Sequence, residues 1–119
     1  MNHRTTLEEL KEEIKLFCEA RKWDQFHGIK DLAIGLVTEA AELLEIFRFQ
    51  SVTECEAMFA GPQREAIEHE LADVFFFLLR ISQKYDIDLI EAFHKKMQLN
   101  SARYPIEKSA GSNRKYTEL

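Results

Sequence analysis

One predicted helix, residues 63–84, is apolar around most of its circumference after Ala72. Its apolar positions recur at helical spacing and comprise Ile67, Leu71, Val74, Phe75, Leu78 and Ile81. A helix that is apolar on several sides must be covered on several sides. A chain of 119 residues can hardly supply that cover alone. The stretch therefore predicts a central helix in an oligomer, either a homodimer or a homotetramer.

Helix caps and apolar spacing predict the other elements. Thr6 with Glu9 forms a capping box, in which the two residues satisfy free backbone N–H groups at a helix start. Thr53 with Glu56 is expected to cap a short helical turn, and Gly61-Pro62 to end it. The predicted long helices cover about 6–22, 30–48, 63–84 and 88–100.

Glycine and proline are too sparse for an all-β protein, which needs a turn every few residues, since the chain has four Gly and two Pro. From Ser101 onward the sequence contains Pro105 and Gly111 and lacks helical periodicity. The predicted fold is therefore all-α, a four-helix bundle over about 6–100 with an irregular basic tail over 101–119. Both parts are predicted to form a single domain of 119 residues.

The charge of the chain is unevenly distributed. Residues 1–93 carry 10 basic and 19 acidic side chains, and residues 94–119 carry 6 basic and 2 acidic ones, so net charges of −9 and +4 make up the total of −5. The acidic body argues against binding a nucleic-acid polymer or an anionic membrane. The simplest reading is that both parts present solvated charged faces.

Cysteine usage and hydropathy predict a cytoplasmic protein in a reducing compartment. Cys18 and Cys55 match neither a metal-binding spacing nor a disulfide framework. The opening residues 1–5 are polar and lack the pattern of a secretory signal, and no apolar run approaches the roughly 18–20 residues of a membrane span.

Two acidic pairs differ from the other four pairs spaced three residues apart, because they adjoin the apolar stripe of a predicted helix. At about 100° per residue, Glu39 of the pair Glu39/Glu42 is flanked on both sides by apolar or small residues, and Glu70/Asp73 repeats this layout. Buried like charges cost several kcal/mol each unless they are compensated. Oxygen ligands favour Mg²⁺, Mn²⁺ or Ca²⁺ over zinc. These angular positions on the helices are compatible with two interpretations, a metal site or helix edges whose acids reach solvent.

The acidic motif resembles a known signature. The motif resembles the ExxE…ExxD pattern of the MazG-like, all-α nucleoside triphosphate pyrophosphohydrolases. It consists of Glu39-Ala40-Ala41-Glu42, 27 further residues and Glu70-Leu71-Ala72-Asp73. Further segments are similar to the dCTP pyrophosphatase branch of that family: Arg21-Lys22-Trp23-Asp24-Gln25-Phe26-His27, the extension of the first motif to Phe47, Lys96…Asn100-Ser101-Ala102-Arg103-Tyr104-Pro105, and Gly111-Ser112-Asn113-Arg114-Lys115-Tyr116. The likeness covers nearly the whole chain.

This resemblance implies cleavage of a nucleoside triphosphate to a monophosphate and pyrophosphate with Mg²⁺, for which Mn²⁺ is a possible substitute. It assigns the Mg²⁺ ligands as Glu39, Glu42, Glu70 and Asp73. We hypothesise that Glu42 orients or deprotonates the attacking water, with Glu45 as the alternative base.

The resemblance also implies a nucleotide-binding set. Cationic contacts to the triphosphate are expected from Lys96, Arg103 and Lys115. Contacts to the base or sugar are expected among Trp23, Phe26, His27, Phe49, Phe77, Asn100 and Tyr104. For Trp23 and Phe26, plugging the end of the bundle is an equal alternative, and Tyr104 either stacks or closes the bundle. Phe49 stands where the family usually has Trp, and Phe77 stands where it commonly has Tyr. The expected dCTP preference therefore depends on the rest of the pocket.

Two other classes of protein remain as alternatives. A ferritin-like di-iron bundle needs an ExxH motif on each of two helices, but only Glu91…His94 provides one, and His3 and His27 are predicted to lie outside helices. A catalytically inactive, oligomeric interaction module fits the apolar helix but gives no reason for four carboxylates against the core.

Overall fold

The computed structural model describes residues 4–119, and every regular element in that range is helical. The helices are α1 (Leu7–Ala20), α2 (Ile29–Phe47), α3 (Val52–Ala57), α4 (Gln63–Lys84), α5 (Leu89–Arg103) and α6 (Ile106–Ser109), with 3₁₀ turns at Asp24–Phe26, Met58–Ala60 and Tyr116–Glu118. The predicted all-α class is confirmed. Residues 1–3 lie outside the described range, and with them most of the polar opening and His3 of the di-iron alternative. Among residues 4–119, no helix is both long and apolar enough to cross a bilayer.

The predicted bounds agree to within two residues for α1, α2 and α4. The Thr6 hydroxyl oxygen accepts a hydrogen bond from the Glu9 backbone N–H at 3.1 Å, which is the expected start of α1. α4 begins after Pro62, whose fixed φ and missing N–H suit the first turn of a helix. It ends at Lys84, so its length agrees with the predicted stretch 63–84.

The short helix α3 is capped two residues earlier than predicted. The Ser51 hydroxyl oxygen accepts from the Glu54 N–H at 3.1 Å, and the Glu54 carboxylate accepts from the Ser51 N–H at 3.0 Å. Thr53 therefore lies inside the first turn, and the predicted Thr53 cap is wrong. The cause is the end of α2: Phe49 has a left-handed φ of 66°, which reverses the chain so that Ser51 is extended directly before the helix.

The fourth long helix also differs from its prediction. α5 continues past Asn100 to Arg103, because nothing before Pro105 interrupts it. Pro105 disfavours the helical conformation at Tyr104, which ends α5 there. The tail is not fully irregular, since Pro105 caps the short helix α6 and a 3₁₀ turn closes the chain.

The described chain divides into two compact units, one reaching to Asp86 and one covering Ile87–Leu119. Within the first unit, α4 packs against both α1 and α2. Its fully buried apolar side chains are Cys18, Leu32, Ile67 and Leu79. The outer part of the apolar stripe of α4 is not covered in the chain, because Leu71, Phe75 and Leu78 remain 40–50% exposed.

Gly35 sets the close approach of α2 to α4. A Cβ atom at this position would lie 2.3 Å from Cε1 of Phe77, which is far inside van der Waals contact. Glycine therefore lets the Phe77 ring lie directly on the backbone of α2. One helical turn after Gly35 on α2 lies Glu39, and one turn before Phe77 on α4 lies Asp73, and carboxylate oxygens of these two residues come within 4.8 Å of each other.

Candidate active site

Three carboxylates converge between α2 and α4. Glu39, Glu70 and Asp73 each offer one oxygen, and these three atoms lie within 4.8 Å of one another. The Oε2 atoms of Glu39 and Glu70 are buried and accept no hydrogen bond from the described residues. A buried carboxylate oxygen without a donor is costly, and three acids this close repel one another. The arrangement is one that a bound cation would stabilise.

The electrostatics of Glu39 agree with this arrangement. Burial, a hydrogen bond shared with Glu42 and the nearby charges of Glu42 and Asp73 raise the pKa of Glu39 to about 7. Without a cation, the cluster therefore relieves its repulsion by holding a proton near neutral pH. The donor set consists only of carboxylate oxygens, which fits Mg²⁺, Mn²⁺ or Ca²⁺ and not a thiolate- or imidazole-seeking metal.

The two predicted bases lie beside this cluster. Glu42 is exposed and lies near enough to Glu39 to raise the pKa of that residue, although its oxygens are not among the three convergent atoms. Glu45 is one turn further along α2 and accepts a hydrogen bond from the Arg48 guanidinium at 2.9 Å. The structure thus groups three of the four predicted metal ligands and places the fourth, Glu42, at their edge.

The loop between α1 and α2 holds the first predicted aromatic residues. The Trp23 ring lies 5.5 Å from the Phe17 ring and 5.9 Å from the His27 ring. Trp23 keeps 37% of its surface exposed and Phe26 keeps 63%. Trp23 therefore packs on α1 and retains a free part of its ring, while Phe26 is largely open to solvent.

A buried arginine holds this loop against α4. Arg80 is 1% exposed, and its Nε donates to Nδ1 of His27 at 3.0 Å. Its other nitrogens donate to Oε1 of Gln83 at 2.5 Å and to the Asp24 carboxylate. Lys84 donates to the backbone carbonyl oxygens of Asp24 and His27. This network was not predicted from the sequence, although a lone arginine in the apolar run of α4 was the available signal.

The network shifts two pKa values downward. The hydrogen bond from Arg80 holds the pKa of the Asp24 carboxyl below its usual range. Burial, followed by the positive charges of Arg80 and Lys84, lowers the pKa of His27. The loop thus contains an ionised Asp24 and a neutral His27 at physiological pH.

Phe49 and Phe77 have different environments. Phe49 is 88% exposed, and the guanidinium of Arg48 lies 4.5 Å from the centre of its ring. Phe77 lies on Gly35 and makes an edge-to-face contact with Phe76 at 5.3 Å. Phe77 therefore acts first as a packing residue between α2 and α4, whereas Phe49 has a free ring face.

The remaining predicted residues lie in the second unit. Lys96, Asn100 and Arg103 are spaced four and three residues apart, so they share one face of α5. The Arg103 guanidinium lies 4.6 Å from the ring centre of Tyr116, and the Tyr104 ring meets the same ring edge-on at 5.9 Å. Lys115 is exposed directly before the last 3₁₀ turn. The Asn100 amide makes one weak contact within the described residues, with Sδ of Met97 at 3.8 Å.

Comparison with known proteins decides the family. The sequence pattern of the MazG-like family matches residues 34–119, a range that contains both acidic motifs. The chain belongs to the MazG-like family. The matched range begins after the loop around Trp23.

Curated relatives cover the MazG-like chain almost fully. The dCTP pyrophosphatase 1 of Mus musculus is 38% identical over 120 residues, spanning 96% of this chain and 68% of the relative. The dCTP pyrophosphatase 1 of Homo sapiens is 36% identical over 115 residues, spanning 96% of this chain and 68% of that relative. The crystal structure of a pyrophosphatase from Archaeoglobus fulgidus matches with a TM-score of 0.80 and 35% identity, covering 88% of this chain and 97% of that one. These matches confirm the predicted family and the predicted class of enzyme, a pyrophosphohydrolase.

Proposed function

We propose that this MazG-like protein hydrolyses nucleoside triphosphates to monophosphates and pyrophosphate with Mg²⁺, and that dCTP is among its preferred substrates. The observation that carries the proposal is the convergence of Glu39, Glu70 and Asp73 with two buried oxygens that lack a hydrogen-bond donor. The named activity of the curated relatives supports the substrate class.

In this proposal, Glu39, Glu70 and Asp73 hold the metal, and Glu42 completes the set. When bound there, Mg²⁺ would offset phosphate charge and make the attacking water more acidic. The residues of the chain then place the triphosphate so that water adds at the α-phosphorus. The α–β bridging oxygen leaves with pyrophosphate. Glu42 takes the proton of the water, because it is exposed beside the cluster. Glu45 is the weaker candidate for this role because Arg48 already neutralises its charge.

The same proposal gives the basic unit a role in substrate binding. Lys96, Arg103 and Lys115 bind the triphosphate, and Asn100 hydrogen-bonds to the sugar or base. The exposed rings of Trp23, Phe26, Phe49 and Tyr104 offer stacking surface for the base. Phe77 contributes indirectly, by packing behind the acidic cluster.

Pyrophosphate release tests the metal-binding part. With Mg²⁺ and dCTP, Asp73→Asn is expected to lose at least about 100-fold in turnover, because even groups that only hydrogen-bond to a metal ligand contribute roughly 10–100-fold. The matched control is Glu65→Gln on the same helix, whose side chain is 80% exposed and lies outside the cluster. Equal activities of these two variants would contradict the proposal.

A panel of deoxyribonucleotides and ribonucleotides tests the substrate. We expect kcat/KM to be among the highest for dCTP. A preference for a purine ribonucleotide would contradict the base assignment and leave the metal assignment standing.

The uncovered apolar stripe of α4 favours one alternative function, an inactive oligomeric interaction module. Thermal unfolding with and without Mg²⁺ plus dCTP separates the two, since a bound ligand raises the Tm by mass action. An unchanged Tm together with no pyrophosphate release would favour the module.

A further inference from the structure

Arg80 is placed to act on a neighbouring residue and not on a substrate. Its side chain is 1% exposed, so no ligand in solution can reach the guanidinium. It makes hydrogen bonds to His27, Gln83 and Asp24, two of which belong to the loop before α2. Burying a guanidinium is costly and is tolerated here because each of these groups accepts from it.

The hydrogen bond to His27 fixes the protonation of the imidazole. Nδ1 of His27 accepts from Nε of Arg80 at 3.0 Å, and an arginine nitrogen has no capacity to accept. Nδ1 therefore carries no proton, and the single proton of a neutral ring must reside on Nε2. Lys84 fixes the backbone of the same residue by donating to its carbonyl oxygen. The ring is thus constrained in both tautomer and position.

The charged groups around His27 keep it neutral. Arg80 and Lys84 face it from α4, Asp24 from the loop and Asp31 from the first turn of α2. The two cations and the burial of the ring outweigh the two carboxylates, so the pKa of His27 is lowered.

The network also lies in line with the acidic cluster. Arg80 follows Asp73 by seven residues, which is two turns on the same face of α4 and about 10 Å along the helix axis. A nucleotide with its phosphates at the cluster can extend its base in this direction. The Trp23 ring, 5.9 Å from the His27 ring, offers a stacking surface at the same place.

We propose that Arg80 is a positioning residue for base recognition, which locks His27 as a hydrogen-bond donor through Nε2 toward an acceptor on the pyrimidine edge. This inference rests on the proposed function. A fixed donor fits N3 of cytosine, which is an acceptor, and is mismatched to N3–H of uracil or thymine, which is itself a donor. Arg80 therefore contributes to selection of cytosine over uracil without touching the nucleotide.

The first test is nitrogen NMR of the His27 ring in the full-length chain without nucleotide, assigned by comparison with His27→Gln. The expected spectrum is that of the Nε2–H tautomer, with no titration near the ordinary pKa of about 6.5. An Nδ1–H tautomer or an ordinary titration would overturn the inference. This measurement needs neither catalysis nor a variant of Arg80, so its outcome is independent of whether the chain is a pyrophosphohydrolase.

The second test compares dCTP with dUTP in Arg80→Met. The loss of one oriented hydrogen bond is expected to raise KM for dCTP about tenfold with kcat nearly unchanged, and to lower the dCTP:dUTP ratio of kcat/KM by a similar factor. His27→Ala should give the same loss, and the double variant should lose no more than either single one. Arg80→Lys, which keeps the charge and one donor, should recover part of the selectivity.

Gln83→Leu is the matched control, because it removes a partner of the same guanidinium that is not part of the loop. It should leave the dCTP:dUTP ratio unchanged. An unchanged ratio in Arg80→Met, or additive losses in the double variant, would overturn the inference. If Arg80→Met does not fold, the spectrum of wild-type His27 decides. If wild type releases no pyrophosphate from any nucleotide, the proposed function fails, and the His27 spectrum still decides whether Arg80 sets the tautomer.

Discussion

At the scale of single residues, the negative charges of two carboxylates in this chain are compensated in different ways. Asp24 is paired with the guanidinium of Arg80, so its pKa falls and the charge is compensated within the chain. Glu39 lies against other acids, so its pKa rises to about 7. Its charge is left to be compensated by a proton or by a cation from solution. This difference separates an acid that stabilises the loop from one that is suited to a metal site.

The raised pKa of Glu39 predicts a pH dependence of the metal-free protein. Between pH 4.5, the usual pKa, and about pH 7, the folded chain keeps a proton that the unfolded chain has lost. Stability therefore falls as the pH rises through this window, by on the order of 1–3 kcal/mol. We expect this slope in denaturant unfolding with a chelator present, and we expect Glu39→Gln to remove it.

Magnesium provides the control for that experiment. A cation among the three carboxylates favours their ionised forms, so Mg²⁺ should stabilise wild type more at pH 8 than at pH 5. Glu65→Gln, which lies on the exposed face, should behave as wild type in both series. A wild-type slope equal to that of Glu39→Gln would show that the cluster does not hold the proton.

At the scale of helices, the contact between α2 and α4 makes an unusual prediction for Gly35→Ala. Alanine is the better helix former by about 1 kcal/mol. Its Cβ would nevertheless lie 2.3 Å from the Phe77 ring, which also contacts the Phe76 ring edge-to-face, and overpacking costs about 1–3 kcal/mol. We therefore expect net destabilisation on the order of 1 kcal/mol in denaturant unfolding.

The sign of this effect should reverse when the ring is removed. In a Phe77→Ala background, Gly35→Ala no longer meets an obstacle and should stabilise by up to about 1 kcal/mol. The same sign in both backgrounds would show that α2 and α4 do not approach at Gly35 as the structure describes.

The cap of α3 gives a second prediction at this scale. Ser51→Ala removes the hydroxyl that accepts from the Glu54 N–H and should cost about 1 kcal/mol. Thr53→Ala is the matched control inside the first turn and should change stability by less than about 0.5 kcal/mol. A larger cost at Thr53 than at Ser51 would restore the cap that the sequence pattern predicted.

The sequence predicted those features that local spacing determines. The stretch 63–84 and the inward position of Glu39 follow from a 3.6-residue period, which needs no knowledge of the partner helix. The choice between Ser51 and Thr53 was not available, because both begin an S/T-x-x-E pattern and only the end of α2 decides between them. The Arg80 network was missed for a different reason: its loop partners lie 53 and 56 residues away in sequence, and no local pattern encodes that contact.

At the scale of the whole molecule, the chain leaves much apolar surface uncovered. The buried apolar core of the described residues consists of four side chains. On α2 and α4, large apolar residues that stay 40–68% exposed are Ile29, Ile34, Val37, Leu44, Leu71, Phe75 and Leu78. Monomeric proteins rarely expose so many large apolar side chains on neighbouring helices, because burying each one is worth about 1.5–3 kcal/mol. A second copy of the chain is the partner that the sequence analysis expected.

We therefore predict that the chain sediments as a homodimer or homotetramer at micromolar concentration, and not at its monomer mass of 14.0 kDa. Leu44→Lys places a charge on the exposed apolar face of α2, where Leu44 is 65% exposed, and should shift the equilibrium toward monomer. Glu68→Lys reverses a charge at a comparably exposed polar position of α4 and should not. Because the monomer would lose the apolar burial between copies, the Leu44→Lys variant should also unfold at lower denaturant concentration. A wild-type chain that sediments as a monomer across this range would contradict the assembly and would require α4 to be stable with its apolar stripe in water.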